Sequence, residues 1–172
     1  MSALTINAVS RRLAPAIGFA VAVLVLLSWR IPAAGDGLGA DVRFVGTPLG
    51  EVALEPAGTF AFGRALEPGE GEAHGRLTLA NVAGGPLAVR VRGLPSNREL
   101  DRLLQVELRA GSRTLAHGRL ARLREWTGRS VTLPRGGRTE IALRAWLPAG
   151  VRGPYEGRSV DVTLELRARP AE

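Results

Sequence analysis

The chain has 172 residues, of which 45% are hydrophobic and 23% charged, a balance typical of a folded globular protein. It contains no cysteine, which excludes a disulfide framework, a thiolate metal site and a cysteine nucleophile. The formal charge of +7 comes from 23 arginines, with no lysine, against 16 acidic residues; no basic run with interleaved aromatics occurs, so nucleic-acid binding is not predicted.

The first 34 residues are predicted to be a targeting segment. Arg11 and Arg12 precede an apolar run over residues 13–27, and small residues follow it. This is the pattern of a secretory signal peptide, with cleavage near Ala34. The residues that represent the apolar helix are Leu13, Phe19, Val25 and Leu27, and those of the cleavage region are Ala33, Ala34 and Gly35.

An uncleaved membrane anchor is the alternative for the same segment. Residues 13–31 approach the roughly 20 residues of a spanning helix if the Arg30 side chain extends to the membrane interface. Both alternatives place the rest of the chain outside the cytoplasm, either secreted or at the cell surface. Beyond residue 35 the chain has 20 arginines and 16 acidic residues, so its formal charge is only +4.

A two-residue alternation of apolar and polar side chains recurs along the rest of the chain and predicts β-strands. Residues 35–40 are a small, flexible linker. The strands predicted before residue 92 are 41–45, 51–54, 58–62, 73–82 and 87–91. A tight turn is predicted at residues 67–71, because Pro68 fixes φ and Gly69 is free to adopt a positive φ.

The alternation is most regular at the C-terminal end, where Val160, Val162 and Leu164 are separated by polar residues. The strands predicted after residue 100 are 104–109, 114–117, 131–133, 140–147 and 158–169. Residues 118–125 fit a short helical turn as well as a strand. Eight to ten short strands at this spacing predict an all-β, antiparallel β-sandwich, Ig-like or jelly-roll-like, after the N-terminal helix.

Three regions are predicted from these patterns. Residues 1–34 are the signal peptide or membrane anchor, residues 35–66 are the linker and N-terminal strands, and residues 67–172 are the core of the β-sandwich domain.

Several segments, taken in order, resemble the TasA/camelysin family of exported β-sandwich proteins. Leu66-Glu67-Pro68-Gly69-Glu70, then a strand and Asn81, is similar to the family's L-x-P-G-D/E signature with its later asparagine turn. Residues 155–159 look like its Y-x-G-x-S lead into the last strand, with residues 146–148 a short loop upstream. Residues 44–49 are similar to its opening, so the resemblance spans residues 44–168.

The resemblance implies an exported structural or assembly protein of the cell surface. We predict that it is not an enzyme, because no catalytic constellation appears in the sequence. Some family members form extracellular matrix fibres of biofilms, in which an N-terminal strand of one subunit completes the sheet of the next. Residues 35–66 would be the donated region, with another copy or another envelope protein as partner. The chain departs from the fibre-forming members because it is shorter and lacks their mid-chain insertion, and without lysine it excludes lysine isopeptide links.

Two other functions remain as alternatives. The first is a membrane-tethered extracytoplasmic binding domain whose N-terminal helix is never cut. The second, an exported metallopeptidase, lacks the ligands, because His74 and His117 are the only histidines and neither lies in an H-E-x-x-H motif. Glu72 and His74 are predicted to share one strand face. We predict no catalytic residue, cofactor or metal site.

Five of the large aromatic residues form the candidate interaction surface. They are Phe44, Phe60, Phe62, Trp146 and Tyr155. Trp146 has the outward parity of its strand, opposite to Ile141 and Leu143. Its side chain either packs under the loop at residues 148–157 or contacts a neighbouring subunit or an envelope glycan.

Overall fold

The computed structural model describes residues 39–171, and most of these residues lie in β-strands. Ten strands are present in this part of the chain: β1 Ala40–Leu49, β2 Val52–Glu55, β3 Gly58–Leu66, β4 Ala73–Asn81, β5 Leu87–Pro95, β6 Gln105–Ala110, β7 Arg113–Arg119, β8 Val131–Leu133, β9 Arg138–Trp146 and β10 Ser159–Pro170. A short helix, α1, spans Leu100–Leu103 and a 3-10 helix spans Leu120–Arg124. The predicted all-β class is confirmed, and the segment that fitted either a helical turn or a strand is the 3-10 helix. The predicted N-terminal helix and cleavage region lie outside the described residues.

All ten strands belong to one sheet that is nearly closed into a barrel. The order is β7-β6-β9-β4-β3-β1-β10-β5-β8, and β2 pairs with β4 beside β3. Within residues 39–171 the strand pairs are antiparallel except β1 with β10, which run parallel from the Asp41–Ser159 pair to the Leu49–Arg167 pair. The predicted antiparallel pairing holds for every described strand pair except this one, because alternation reports which face a residue occupies and not the direction of the neighbouring strand.

The gap between the edge strands β7 and β8 is bridged by the chain that connects them. After the 3-10 helix, the Thr127 amide donates a hydrogen bond to the Val91 carbonyl at 2.8 Å, and the Val91 amide donates to the Thr127 hydroxyl at 3.2 Å. The Arg129 guanidinium donates to the Thr114 carbonyl of β7 at 3.3 Å. The hydrogen bonds of Thr127 occupy backbone groups of β5 at Val91, beyond the end of its pairing with β8.

Alternate residues of each strand fill one hydrophobic core. The regular alternation of β10 is confirmed, since Val160, Val162 and Leu164 are each at most 1% exposed while the residues between them face outward. From β1, Val42 and Phe44 enter the same core. Burial of such side chains contributes about 1.5–3 kcal/mol each, and this is the main term that stabilises the sheet.

Glycine permits a close approach where β3 meets β4. The two strands pair at only two positions, Ala61 with Gly75 and Phe62 with His74. A Cβ atom on Gly75 would lie 2.3 Å from the Ala61 Cβ and 2.5 Å from the Phe60 carbonyl oxygen, which is shorter than any van der Waals contact. This short seam connects the β7-β6-β9-β4 half of the sheet to the β3-β1-β10-β5-β8 half.

A small polar layer holds the two helices together. The Asp101 carboxylate of α1 is 2% exposed and accepts hydrogen bonds from Arg124 of the 3-10 helix, through Nε at 2.9 Å and through Nη2. Leu100 and Leu120 are fully buried beneath it. The sequence patterns did not predict α1, because four residues are too few to show a helical period.

Side-chain and backbone hydrogen bonds fix the predicted turns. At residues 67–70, the Glu67 and Glu70 backbones exchange hydrogen bonds and Gly69 adopts a φ of 80°. Asn81 is 4% exposed, and its amide nitrogen lies 2.9–3.1 Å from three carbonyl oxygens while its oxygen accepts the Ala83 amide. This asparagine therefore organises the chain reversal that follows β4.

Candidate functional site

The structure separates the five residues that were predicted as an interaction surface. The prediction that Phe44 belongs to this surface is wrong. Its side chain is fully buried, because it points to the same inward face of β1 as Val42. Phe60 is half-buried, with its ring centroid 6.4 Å from that of Phe44, and Tyr155 is half-buried against the core. Only Phe62, which is 39% exposed, and the half-buried Trp146 reach one outward face.

Trp146 lies among charged side chains on that face. The Arg144 guanidinium carbon is 4.7 Å from the Trp146 ring centroid, and the His117 ring centroid is 6.1 Å from it. The outward parity predicted for Trp146 is therefore observed, and these two neighbours hold its ring against the sheet. Phe62 stands across the sheet beside His74, and the Arg64 guanidinium carbon is 5.2 Å from its ring.

A row of charged residues crosses β4, β9 and β6 between these aromatics. His74 is opposite Arg144, and Arg144 is opposite Glu107. Arg144 donates to the Glu72 carboxylate through Nε at 2.7 Å and through Nη2, and His74 Nε2 is 2.9 Å from a Glu72 oxygen. A shallow cleft of about 430 Å³ lies over the row, lined also by Arg76.

The charges of this row compensate one another. The hydrogen bond from Arg144 holds the pKa of the Glu72 carboxyl below its usual range, and the same bond raises the pKa of Arg144. Glu72 and His74 share a strand face as predicted. Among residues 39–171, no group of three or more His, Asp and Glu side chains is placed to hold a metal ion. The row is therefore a satisfied ionic network on an exposed sheet surface.

A second charged surface lies on the outer face of β5 and β10, and we name it the arginine cluster. It consists of Arg90, Arg92, Arg167 and Arg169 around Trp126. The guanidinium carbons of Arg92 and Arg167 are 4.6 and 4.0 Å from the Trp126 ring centroid. A cleft of about 410 Å³ opens beside the ring, and Ser130 also lines it.

The backbone places Trp126 against these strands. The hydrogen bonds between Thr127 and Val91 hold the chain alongside β5, and the Thr127 hydroxyl also donates to the Arg129 carbonyl at 2.8 Å. Thr127 itself is 6% exposed, so the segment is anchored and not a free loop. The half-buried indole of Trp126 is thereby fixed over the outward side chains of β5 and β10.

Among residues 39–171, three of the four guanidinium groups of the arginine cluster have no carboxylate partner. Arg90 is directly opposite Arg167 in the antiparallel register, a placement that destabilises a sheet. Arg92 is neutralised by Glu165, with Nε 2.6 Å from a carboxylate oxygen. Within residues 39–171, no carboxylate oxygen lies within 4.0 Å of a guanidinium nitrogen of Arg90, Arg167 or Arg169.

Sequence reasoning missed this cluster although half of its signal is visible. Arg90 and Arg92 alternate with apolar residues, as do Arg167 and Arg169, so all four are expected to face outward. What the sequence does not show is that β5 and β10 are neighbours with Arg90 opposite Arg167. Trp126 lies outside any strand, so no alternation indicates its place.

Comparisons with known proteins give no family for this chain. No family model and no curated protein sequence matches it. Among solved structures, the chain is similar to the N-terminal domain of PorA, with 8% sequence identity and a TM-score of 0.31, over 77% of this chain and 90% of that chain. A likeness this low carries no argument about fold or function, and the TasA/camelysin resemblance stays a prediction.

For the described residues 39–171, neither helix is of a length and apolar character that would allow it to cross a lipid bilayer.

Proposed function

We propose that the chain is an exported structural or assembly protein of the cell surface, and that it donates its strand β1 to a second copy. The position of β1 supports this proposal. β1 is the first strand described, it lies between β3 and β10, and it runs parallel to β10 over nine residue pairs. A strand at one end of a chain that completes the middle of a sheet is suited to exchange between copies.

The connection after β1 supports the same proposal. Only Gly50 and Glu51 separate β1 from β2, and the two strands do not pair with each other, because β2 pairs with β4. Straightening this hinge releases β1 while β2 stays in place. A short hinge between strands at different positions in a sheet favours exchange over closure within one chain.

Exchange preserves the contacts that β1 makes. Val42 and Phe44 of one copy would enter the core of the next, and Arg43 would meet its partner Asp161, to which it now donates through Nε at 2.8 Å. Because β1 is well packed in its own sheet, opening a folded monomer is costly. Exchange is therefore favoured while chains fold together at high local concentration after export.

The resemblance to the TasA/camelysin family extends the proposal to the type of β fold. We assign the sheet to a β-sandwich of that family, in which the β7-β6-β9-β4 half faces the β3-β1-β10-β5-β8 half. The turn at residues 67–70 and the hydrogen bonds of Asn81, where the family signature falls, support this assignment.

A membrane-tethered extracytoplasmic binding domain is the second candidate, and the arginine cluster favours it. A surface with uncompensated positive charge is suited to hold an anionic ligand near the membrane or envelope.

The two candidates differ in the fate of the N-terminus. We expect the protein recovered from its own cells to begin near Gly35 and to be found in the extracellular or wall fraction, in particles larger than a monomer. Intact mass, N-terminal sequencing and size-exclusion chromatography of each cell fraction measure this. A full-length chain confined to the membrane pellet would contradict the assembly proposal and support the tethered domain.

A further inference from the structure

We propose that the arginine cluster is a binding site for a phosphate group. Its positive charge, its aromatic support and its open cleft each point to an oxyanion ligand, and the site is independent of strand exchange. The ligand chemistry is a phosphate with at least one free negative charge, carried by a small soluble molecule or by a lipid headgroup.

The register of β5 and β10 supplies the first argument. Arg90 and Arg167 occupy directly opposed positions, and Arg169 follows on the same face. Like charges at opposed positions raise the free energy of the unliganded sheet, and no carboxylate of residues 39–171 offsets them. A bound anion removes this cost, so the repulsion becomes part of the ligand's binding energy.

The indole of Trp126 supplies the second argument. Arg92 and Arg167 lie against its ring, at 4.6 and 4.0 Å from the centroid, and these contacts restrict two otherwise flexible side chains. Guanidinium groups that are held in place bind phosphate oxygens in a bidentate manner, with little entropy left to lose. The Glu165 carboxylate neutralises Arg92 and leaves Arg167 as the cation that both the ring and the cleft share.

The contacts of the ring also select among anions. The indole face that the two guanidinium groups contact is not free to stack on a nucleic-acid base. The cleft of about 410 Å³ accommodates a phosphate with a small attached group. The charged row across β4, β9 and β6 is not proposed as an anion site, because Arg144 there is already bound to Glu72.

The test is calorimetric titration of the full chain, in mild detergent at low ionic strength, with sodium pyrophosphate. Arg90→Gln and Arg167→Gln are each expected to weaken binding by about tenfold or more, which corresponds to one lost charge-assisted contact. The matched control is Arg109→Gln, which removes an outward arginine of β6 and is expected to leave the affinity within about twofold.

A second arm identifies the source of the phosphate. Sedimentation with vesicles of phosphatidylglycerol, compared with vesicles of phosphatidylcholine, measures binding to the lipid headgroup. The wild type and Arg90→Gln have the same apolar N-terminus, so a difference in binding between them reports the arginine cluster alone. Weaker binding of Arg90→Gln than of the wild type to phosphatidylglycerol supports the site with a lipid headgroup as its ligand. The proposal is overturned if Arg90→Gln matches the wild type towards both pyrophosphate and phosphatidylglycerol.

Thermal unfolding separates a binding site from a structural role. Without phosphate, Arg90→Gln is expected to melt about 1–3 °C above the wild type, because it relieves the opposed charges. Pyrophosphate is expected to raise the melting temperature of the wild type and not that of the variant. A lower melting temperature for the variant, with no response of the wild type to pyrophosphate, would show that Arg90 only supports the fold.

Discussion

Replacing Phe44 by alanine is expected to lower the free energy of unfolding by about 3–5 kcal/mol. The side chain is fully buried in the middle of the sheet, where it packs near the ring of Phe60. Its removal deletes a large apolar surface and leaves a cavity that flanking strands on both sides of β1 prevent from collapsing. Urea unfolding followed by circular dichroism measures the loss.

Phe62→Ala is the matched control for this change. Phe62 lies on β3, on the outward face, and is 39% exposed, so its truncation is expected to cost less than about 1 kcal/mol. Equal losses for the two variants would contradict the inward orientation of Phe44. They would restore its predicted place on the interaction surface.

Replacing Arg124 by alanine is expected to cost about 3 kcal/mol, because it leaves the Asp101 carboxylate buried without its cation. The carboxylate is 2% exposed, so water reaches it poorly, and both hydrogen bonds that it accepts from Arg124 are lost. The same urea unfolding experiment measures this loss.

A double variant distinguishes the buried charge from simple loss of packing. Asp101→Asn combined with Arg124→Ala removes the charge that would be left unpaired, and we expect it to recover more than half of the lost stability. Arg102→Ala, which truncates an exposed arginine of α1, is expected to cost less than about 0.5 kcal/mol. If the double variant is no more stable than Arg124→Ala, the ion pair is not the source of the effect.

The faces of the strands could be predicted from the sequence, but their neighbours could not. The alternation in β10 indicates that Val160 and Leu164 point inward, because a strand has a period of two residues. The same rule applied to β1 places Phe44 inside together with Val42. The alternation therefore contradicts the prediction that Phe44 belongs to an interaction surface. The parallel pairing of β1 with β10 joins residues more than a hundred positions apart, and no local pattern indicates it.

The candidate sites follow the same division. That Glu72, which directly precedes β4, and His74 lie on one face is a local property of the chain, and the alternation predicts it. The contact of Glu72 with Arg144 depends on which strand is next to β4, and the sequence patterns do not predict that neighbour. The arginine cluster depends further on the register between β5 and β10 and on a tryptophan held by backbone hydrogen bonds, so it required the structure.

If β1 is exchanged, the pairing of β1 with β10 joins two copies of the chain and not two segments of one copy. In a monomer, Val45 and Thr163 of one chain are register partners on the outer face, whereas in an assembly the partners belong to different copies. The chain has no cysteine, so cysteines introduced at these positions form the only disulfides that can occur. The pairing is therefore directly measurable.

The most direct test is to let chains carrying Val45→Cys and chains carrying Thr163→Cys fold together and to look for disulfide-linked dimers on non-reducing gels. Strand donation predicts a linked dimer of the two chains, and a ladder of longer species when both substitutions are in one chain. Val45→Cys mixed with Thr132→Cys, on the distant strand β8, is the control and is expected to give no such dimer. Monomers alone from every mixture, with the double variant closing its disulfide within one chain, would contradict strand donation.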